Sequence, residues 1–306
     1  MAERNAQSHR IDSELNHKIL LIDGSIFIFR AWFGWPDRFH DQQGHPVNAV
    51  IGFVDFVLRL LTMQPLQPVF CFDTSLFTGL RHQLDPLYKA NRALPDAVLE
   101  YQMQQCFEWV EALGLPCLKS EQYEADDLIA SVQSQWFARE PVVLVTADKD
   151  VAQLVRESDR LWDGKATNLS DYDQVAGKWQ IRPEQIAELL ALTGDSSDNI
   201  PGLRGVGLKT AAQMLNEFGS LTAVIDRPER ILRSRMCNRE KIHAQICEHR
   251  QRLALNYQLT RLYRDAPLPE KPEPWSPSVV HHQRLSRFLA LMPLLNKQKL
   301  LLQGLL

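Results

Sequence analysis

The sequence predicts an α/β fold in which helices cover both faces of a parallel β-sheet, followed by a separate helical module. Three apolar runs of strand length, Ile19–Ile22, Val69–Phe72 and Val142–Val145, are separated by segments with helical periodicity. Strands that alternate with helices usually pair in parallel, and the helices then cover both faces of the sheet. From residue 183 onward the apolar pattern is only helical, which predicts a second structural unit.

Six helices and one further strand complete the predicted pattern. In the α/β unit, residues 18–182, helices are expected at Ala49–Met63, Pro95–Leu113 and Ala125–Phe137, with a short strand at Arg160–Trp162. In the helical module, residues 183–265, helices are expected at Pro183–Leu192, Lys209–Phe218 and Arg239–Tyr257.

The two ends of the chain differ from these units. Residues 1–17 are polar and predict a short leader, since they lack the apolar stretch of a signal peptide. Residues 266–277 contain five prolines and predict an extended connector. The leucine-rich residues 279–306 predict a helical tail broken near Pro293, and the sequence leaves open whether this tail packs on the body.

Composition excludes some classes of function. No apolar run approaches the roughly 18–20 residues that cross a bilayer, so no membrane association is expected. Five cysteines without a Cys-x-x-Cys pair indicate reduced thiols and a cytoplasmic protein. The net charge of −3 weakly disfavours a nucleic-acid partner. However, ten Lys/Arg against five Asp/Glu lie between Ile200 and Arg252, so the charges are segregated.

A zinc site is the alternative for Cys237, His243, Cys247 and His249. Their spacing fits no standard zinc pattern. His243 and Cys247 are simply four residues apart on one predicted helix. Ordinary packing and solvation are therefore favoured.

Three aspartates follow the three predicted strands. Asp23, Asp73 and Asp148 come at the carboxyl ends of these strands, where ligands bind in open parallel sheets. Each could instead cap the helix that follows it. Carboxylates at close range raise one another's pKa, so three of them together favour bound cations.

Further acids strengthen the metal hypothesis. Glu124, Asp126 and Asp127 begin a predicted helix, where a solvated acidic helix start is the alternative. Asp150 follows Asp148 by two residues, and Asp195 and Asp198 precede the basic module. Oxygen ligands suit Mg²⁺ or Mn²⁺. The surplus of acids predicts two ions roughly 3.5–4 Å apart, which activate water and stabilise the charge that develops at a phosphodiester.

A glycine-rich hairpin follows these acids. Gly202, Gly205 and Gly207 precede a predicted helix, with Arg204, Lys209 and Thr210 beside them. The spacing fits neither a P-loop nor a dinucleotide fingerprint. Backbone amides at glycines and a helix N-terminus can bind a phosphate, so a clamp for the DNA backbone is favoured over a structural turn.

A basic segment lies between the second and third predicted strands. Arg81, Tyr88, Lys89 and Arg92 combine positive charge with an aromatic ring, which is typical of a path for single-stranded nucleic acid. A solvated loop is equally consistent with this segment by itself.

Together these motifs resemble the bacterial and phage 5′-nuclease (flap endonuclease) family, including the N-terminal domain of DNA polymerase I. The matching motifs occur in family order over roughly Lys18 to Tyr257: Asp23-Gly-Ser, Phe72-Asp73, Tyr88-Lys-Ala-Asn-Arg92, Glu124-Ala-Asp-Asp127, Thr146-Ala-Asp-Lys-Asp150 and Gly194 to Thr210. The departures are the polar leader, Thr-Ala where relatives often have glycine before Asp148, and the proline-rich tail.

The resemblance implies a PIN-like, resolvase-like central sheet, a helical arch around residues 80–112 and a helix–three-turn–helix module. It implies two Mg²⁺ sites, with Mn²⁺ able to substitute, drawn from Asp23, Asp73, Glu124, Asp126, Asp127, Asp148, Asp150, Asp195 and Asp198. Lys89 and Arg92 would contact the scissile phosphate as catalytic residues. A K⁺ ion at the glycine hairpin would help to bind duplex DNA.

The activity implied is a 5′-3′ exonuclease and 5′-flap endonuclease of DNA replication and repair, acting as a monomer on single-strand/duplex junctions. A polymerase partner would act in trans. A catalytically silent junction binder could dispense with Asp195 or Asp198, and both are present. A PIN-like ribonuclease would need neither the hairpin nor the basic module.

Overall fold

The central sheet has six strands. A computed structural model describes residues 15–74, 78–165 and 169–306. The strands stand in the order β3-β2-β1-β4-β5-β6, and their bounds are β1 Ile19–Asp23, β2 Gln67–Asp73, β3 Cys117–Ser120, β4 Val142–Val145, β5 Arg160–Trp162 and β6 Leu169–Ser170. The first five are parallel, and β6 pairs antiparallel with β5. Because β1 lies between β2 and β4, the strand order reverses there, where open sheets bind ligands.

Thirteen α-helices occur in the described residues. Six belong to the first unit: α1 Gly24–Gly34, α2 Asn48–Thr62, α3 Leu80–Leu84, α4 Ala97–Ala112, α5 Ala125–Gln135 and α6 Tyr172–Trp179. Five follow: α7 Ile186–Thr193, α8 Leu208–Phe218, α9 Leu221–Asp226, α10 Glu229–Leu232 and α11 Arg239–Thr260. The last two are α12 His282–Leu291 and α13 Asn296–Leu305, and short 3₁₀ turns lie at Asp150–Leu154, Pro183–Gln185 and Pro277–Val279.

Two apolar layers cover the sheet. Because side chains alternate along a strand, Leu20 and Ile22 of β1 face α1, α2, α4 and the two C-terminal helices. Ile19 and Leu21 face α5 and the helices of the later module. The core of the helical module is therefore continuous with one face of the sheet, which fixes the module against the strand ends.

The predicted strands and helices are confirmed with small shifts in their bounds. One prediction is wrong: the part after residue 183 is not only helical, because β7 Gly194–Asp195 and β8 Ile200–Pro201 pair as a short antiparallel ribbon. The strand β3 was not predicted, because it carries no continuous apolar run and only its Leu118 is buried. Most of the predicted leader lies outside the described residues, but Leu15 is fully buried.

The C-terminal tail packs on the body. The Trp275 Nε1–H donates to the Leu113 carbonyl at 2.8 Å, and Phe288 packs on Trp109 with ring centroids 5.0 Å apart. The buried Gln298 amide donates to the Ile51 carbonyl at 2.8 Å. The proline-rich segment before it has neither helix nor strand at residues 266–276. Among the described helices, none has the length and apolar character needed to span a bilayer.

Candidate active site

The aspartates at the carboxyl ends of the strands lie near one another, with Asp23 buried and Asp73 and Asp148 half-buried. Asp23 ends β1 and caps α1, since its Oδ1 accepts the Ile26 N–H at 3.1 Å. Its Oδ2 accepts the Thr146 hydroxyl at 2.9 Å. Asp73 ends β2, and its Oδ1 accepts the Ala125 N–H at 2.8 Å. The same carboxylate can therefore cap a helix and bind a metal ion, because the cap hydrogen bond uses only one of its two oxygens.

These carboxyls have raised pKa values. Burial, followed by the charges of Asp73 and Asp148, raises the pKa of Asp23 from 3.8 to about 7. Burial also raises the pKa of Asp73, although the Lys89 ammonium opposes the shift. A nearby divalent cation would reverse the direction of both shifts, since it favours the charged carboxylates.

Two groups of acids lie next to these strand ends. The first carboxylate cluster consists of Glu124, Asp126 and Asp127, which offer oxygens within 4.8 Å of one another. The second carboxylate cluster consists of Asp150, Asp195 and Asp198, with oxygens equally close.

The first carboxylate cluster begins α5. Glu124 lies just before the helix, and the Asp127 Oδ2 accepts the Glu124 N–H at 3.2 Å. Burial and the adjacent Asp127 charge raise the pKa of Asp126 well above its usual range. Burial also favours the neutral form of Glu124, but the Lys89 and Arg81 charges outweigh it and hold the pKa of Glu124 at about 2.

The second carboxylate cluster joins the turn after β4 to the β7–β8 ribbon. Burial and the Asp148 charge raise the pKa of Asp150 well above its usual range. The buried Asp150 Oδ1 has no hydrogen-bond partner among the residues that the structure describes. Asp195 accepts the Ser197 hydroxyl at 2.6 Å and pairs with the Lys149 ammonium at 2.6 Å.

Basic side chains of the segment between α3 and α4 neutralise both clusters. The Lys89 ammonium lies 2.7 Å from Glu124, and the Arg92 guanidinium lies 2.6 Å from Asp198. The Tyr88 hydroxyl lies within hydrogen-bonding distance of both carboxylates, 2.9 Å from Glu124 and 3.0 Å from Asp198. The Lys89 backbone is left-handed, with φ of 53°, and its N–H donates to the Asp198 carbonyl at 2.9 Å. This strained residue therefore bridges the two clusters.

The residues present fit a pair of divalent cations. All the donors are carboxylate oxygens, which are the ligands that Mg²⁺ and Mn²⁺ prefer. Asp23, Asp73, Asp126 and Asp150 are destabilised as anions, and Asp150 has a buried oxygen without a donor. Bound cations would relieve both conditions.

The glycine hairpin presents an open surface beside the second carboxylate cluster. Gly205, with φ of 79°, and Gly207 have no atom within 4 Å of an added Cβ, and Arg204 and Lys209 are exposed next to them. Thr210 is half-buried in the first turn of α8. This surface has the open backbone and positive charge that a phosphate clamp needs.

Gly202 has a different reason to be glycine. An added Cβ would lie 2.1 Å from the Thr193 carbonyl and 2.4 Å from the Gly194 nitrogen, because the two strands of the ribbon cross here. The buried Asn256 amide donates to the Pro201 carbonyl at 2.7 Å and holds the same crossing. The close approach that requires glycine at position 202 is therefore to the chain itself.

Several predicted roles do not fit the positions of their residues. Arg81 is only 3% exposed and Tyr88 only 2%, so the expected DNA contacts of both are corrected to buried contacts with acids. Both oxygens of Asp127 are engaged by Arg81, at 2.6 and 2.8 Å. Lys149 and Thr146 lie in one of the matching motifs, but their contacts with Asp195 and Asp23 were not predicted, because ion pairs and hydroxyl donors in turns leave no periodic signal.

Models of one protein family cover most of the chain. The 5′-3′ exonuclease N-terminal resolvase-like domain matches residues 18–180, and the 5′-3′ exonuclease C-terminal SAM fold matches residues 181–283. The chain belongs to the 5′-3′ exonuclease family. The predicted resemblance, the fold class and the nuclease class of the enzyme are thereby confirmed.

Comparisons with individual proteins support this family assignment. A DNA polymerase I of Rhizobium leguminosarum is 38% identical over 82% of this chain, which spans 25% of that relative's length. A 5′-3′ exonuclease of Buchnera aphidicola subsp. Acyrthosiphon pisum is 29% identical, and the aligned region covers 83% of this chain and 89% of that protein. The T5 D15 protein co-crystallised with metal ions superposes with a TM-score of 0.66 at 19% identity, covering 93% of this chain and 98% of its own, and shares the fold.

Proposed function

We propose that the protein hydrolyses DNA phosphodiester bonds at single-strand/duplex junctions with two Mg²⁺ ions, as a 5′-3′ exonuclease and 5′-flap endonuclease. The observation that carries this proposal is the pair of carboxylate clusters, each with three acids whose oxygens lie within 4.8 Å of one another. Membership of the 5′-3′ exonuclease family supports the reaction class.

The acids divide between two ion sites in this proposal. Glu124, Asp126 and the strand-end Asp73 would hold one ion, while Asp148, Asp150, Asp195 and Asp198 would hold the other; Asp23 lies between them. Bound Mg²⁺ supplies positive charge for the transition state and lowers the pKa of water. The buried side chains hold the donor atoms in place before DNA arrives, so the site needs little reorganisation during the reaction.

Lys89 and Arg92 would contact the scissile phosphate. In the absence of DNA they pair with Glu124 and Asp198. Cations that neutralise these carboxylates would free both basic side chains to stabilise the phosphoryl oxygens. The partial exposure of the Arg92 side chain, 49%, leaves it room to turn toward a substrate.

The hairpin would bind the backbone of the duplex. Its open glycines, Arg204, Lys209 and the N-terminus of α8 favour anionic phosphate, without regard to base sequence. A K⁺ ion bound by hairpin carbonyls would add to this charge. Mn²⁺ would substitute for Mg²⁺ in the clusters, since it accepts the same oxygen ligands. We further propose a cytoplasmic monomer that works with a DNA polymerase.

Cleavage assays with Asp148→Ala test this proposal. The wild type should cut a 5′-flap duplex in Mg²⁺ and be inactive in EDTA, whereas the variant should lose about 1,000-fold in rate, or about 4 kcal/mol of transition-state stabilisation. Its binding of the flap DNA should remain within a few-fold of the wild type. Lys178→Gln, on the exposed surface of α6, is the control for handling and folding.

Substrate comparison then separates the activities. Flapped, nicked, overhanging and single-stranded DNA, with the matched RNA, should be cut in that order of decreasing efficiency, because the hairpin requires a duplex beside the cleaved strand. Activity that survives EDTA, or RNA cut as fast as flapped DNA, would refute the proposal.

A further inference from the structure

Arg81 connects three parts of the molecule, which are the helix α3, the first carboxylate cluster and the end of α11. It belongs to the short helix α3, its side chain is 3% exposed, and it reaches the first carboxylate cluster and the end of α11 at once. Neither the proposed metal chemistry nor DNA binding uses it. A fully buried guanidinium with this many partners needs another explanation.

Toward the metal site, the Arg81 guanidinium forms a fork with Asp127. Its two terminal nitrogens donate to the two Asp127 oxygens at 2.6 and 2.8 Å, and one of them also lies 3.1 Å from the Glu124 Oε2. Such a two-bond arrangement fixes the plane of a carboxylate as well as its position. Asp127 in turn accepts the Glu124 N–H, so the fork also sets where the backbone enters α5.

Toward the helical module, the same guanidinium binds backbone carbonyls. The Arg81 Nε–H donates to the Leu259 carbonyl at 2.8 Å, and a terminal N–H donates to the Arg261 carbonyl at 2.9 Å. These carbonyls are at the end of α11, where helices have unpaired acceptors and partial negative charge. The Asp127 Oδ1 also accepts the Tyr263 N–H at 2.9 Å. The end of α11 is thus held by both members of the pair.

We infer that Arg81 and Asp127 are positioning residues that align the first carboxylate cluster with the DNA-binding module. Asp127 acts through its neighbours and is not a ligand. Its two oxygens together already accept four hydrogen bonds, two from Arg81 and one each from the Tyr263 and Glu124 N–H groups. Asp126 makes none of these contacts: its Oδ1 accepts the Asp127 N–H at 2.8 Å, and in this proposal Asp126 is the ligand. This inference rests on the proposed function, because it assumes that Glu124 and Asp126 hold a divalent ion.

Mn²⁺ titration calorimetry on the full chain tests the inference. Asp127→Asn and Arg81→Lys should each keep the number of ions bound by the wild type, while the affinity of one ion falls about 10- to 100-fold, as it does when residues that orient metal ligands are changed. Asp126→Asn should instead bind one ion fewer. The double variant should be no weaker than either single variant, since both changes break the same fork.

A second Arg–Asp pair provides the matched control. Arg156 binds the buried Asp159 through two nitrogens, at 2.7 and 3.0 Å, and also donates to backbone carbonyls. Asp159→Asn should lower the melting temperature but leave Mn²⁺ affinity unchanged. In hydrogen exchange, Asp127→Asn should speed exchange of the Tyr263 amide, whereas Asp126→Asn should not.

Other outcomes would overturn the inference in different ways. If Asp127→Asn loses an ion as Asp126→Asn does, Asp127 is a ligand. If its Mn²⁺ affinity equals that of the wild type while stability falls as in Asp159→Asn, the pair is only structural. A wild type that binds no Mn²⁺ would refute the proposed function itself, and the inference with it.

Discussion

Asp23 shows how one residue serves both the fold and the site. One oxygen caps α1, and the other accepts the Thr146 hydroxyl, so the carboxylate cannot turn away from its acidic neighbours. Burial and those neighbours raise its pKa to about 7. The cost of this charge is tolerated because the same position can hold a cation.

The raised pKa predicts how stability depends on pH without metal. Between its ordinary value of 3.8 and about 7, the folded protein keeps a proton that the unfolded chain has released. The stabilisation is therefore complete below about pH 4 and disappears as pH rises through 7. Glu124 and Asp41, whose pKa values are lowered from 4.5 and 3.8 to about 2, change their contribution only below about pH 4.5, which is outside the range from pH 5 to pH 8.

Thermal unfolding in EDTA measures this effect. The melting temperature should fall by several degrees between pH 5 and pH 8, and Asp23→Asn should reduce the fall. Mg²⁺ should raise the melting temperature more at pH 8 than at pH 5, since protons compete with it. An equal fall in the Asp23→Asn protein would contradict this assignment.

At the scale of elements, the β7–β8 ribbon brings the second carboxylate cluster beside the hairpin. Asp195 lies in β7 and Gly202 follows β8, so the ribbon connects the proposed metal ligands to the proposed DNA-binding surface. The crossing depends on two glycines, Gly194 and Gly202. A Cβ added to either glycine would clash with the backbone nitrogen of the other, at 2.4 Å.

Gly202→Ala should therefore destabilise the protein by roughly 2–4 kcal/mol, as backbone displacement at a packed site does. Gly177→Ala is the matched control, because Gly177 lies within α6 with open space around it and should gain about 0.5–1 kcal/mol. Urea unfolding monitored by circular dichroism measures both. Equal free energies of unfolding for the two variants would show that the ribbon backbone can shift to accommodate a Cβ at little cost.

The hairpin predicts a measurable salt dependence. Lys209→Gln should reduce the steepness of the plot of the logarithm of the DNA-binding constant against the logarithm of the salt concentration by about 0.9. This is the counterion release expected for one phosphate contact, and it should be the same for duplexes of any sequence. Lys178→Gln removes the same charge from the exposed end of α6 and should leave the slope unchanged. Fluorescence anisotropy from low to moderate salt provides the slopes. A sequence-dependent loss would indicate contacts to bases instead.

Much of the site was predictable because its chemistry lies at element ends. Apolar runs located β1, β2 and β4, and the acids after them then had to meet at one edge of the sheet. Arg81 could not be placed in this way, because a basic residue in a short helix looks the same whether it faces DNA or is buried. Its partners, Leu259 and Arg261, are about 180 residues away and are brought close only by the tertiary fold.

At the scale of the whole molecule, one sheet supports both apolar layers. The tail covers α2 and α4 on one face, while α5 and the helical module cover the other. The acids lie between these layers at the strand ends, so the proposed metal sites and the hairpin are held in one frame. The central claim is that this frame holds two divalent ions.

Anomalous diffraction from crystals of the full chain grown with Mn²⁺ tests that claim most directly. Data at the manganese absorption edge should show two peaks in each chain, roughly 3.5–4 Å apart, one beside Asp126 and one beside Asp150. Lys89 should then have left Glu124. A map with no manganese at the carboxylates, and with the Lys89–Glu124 and Lys149–Asp195 pairs intact, would contradict the account.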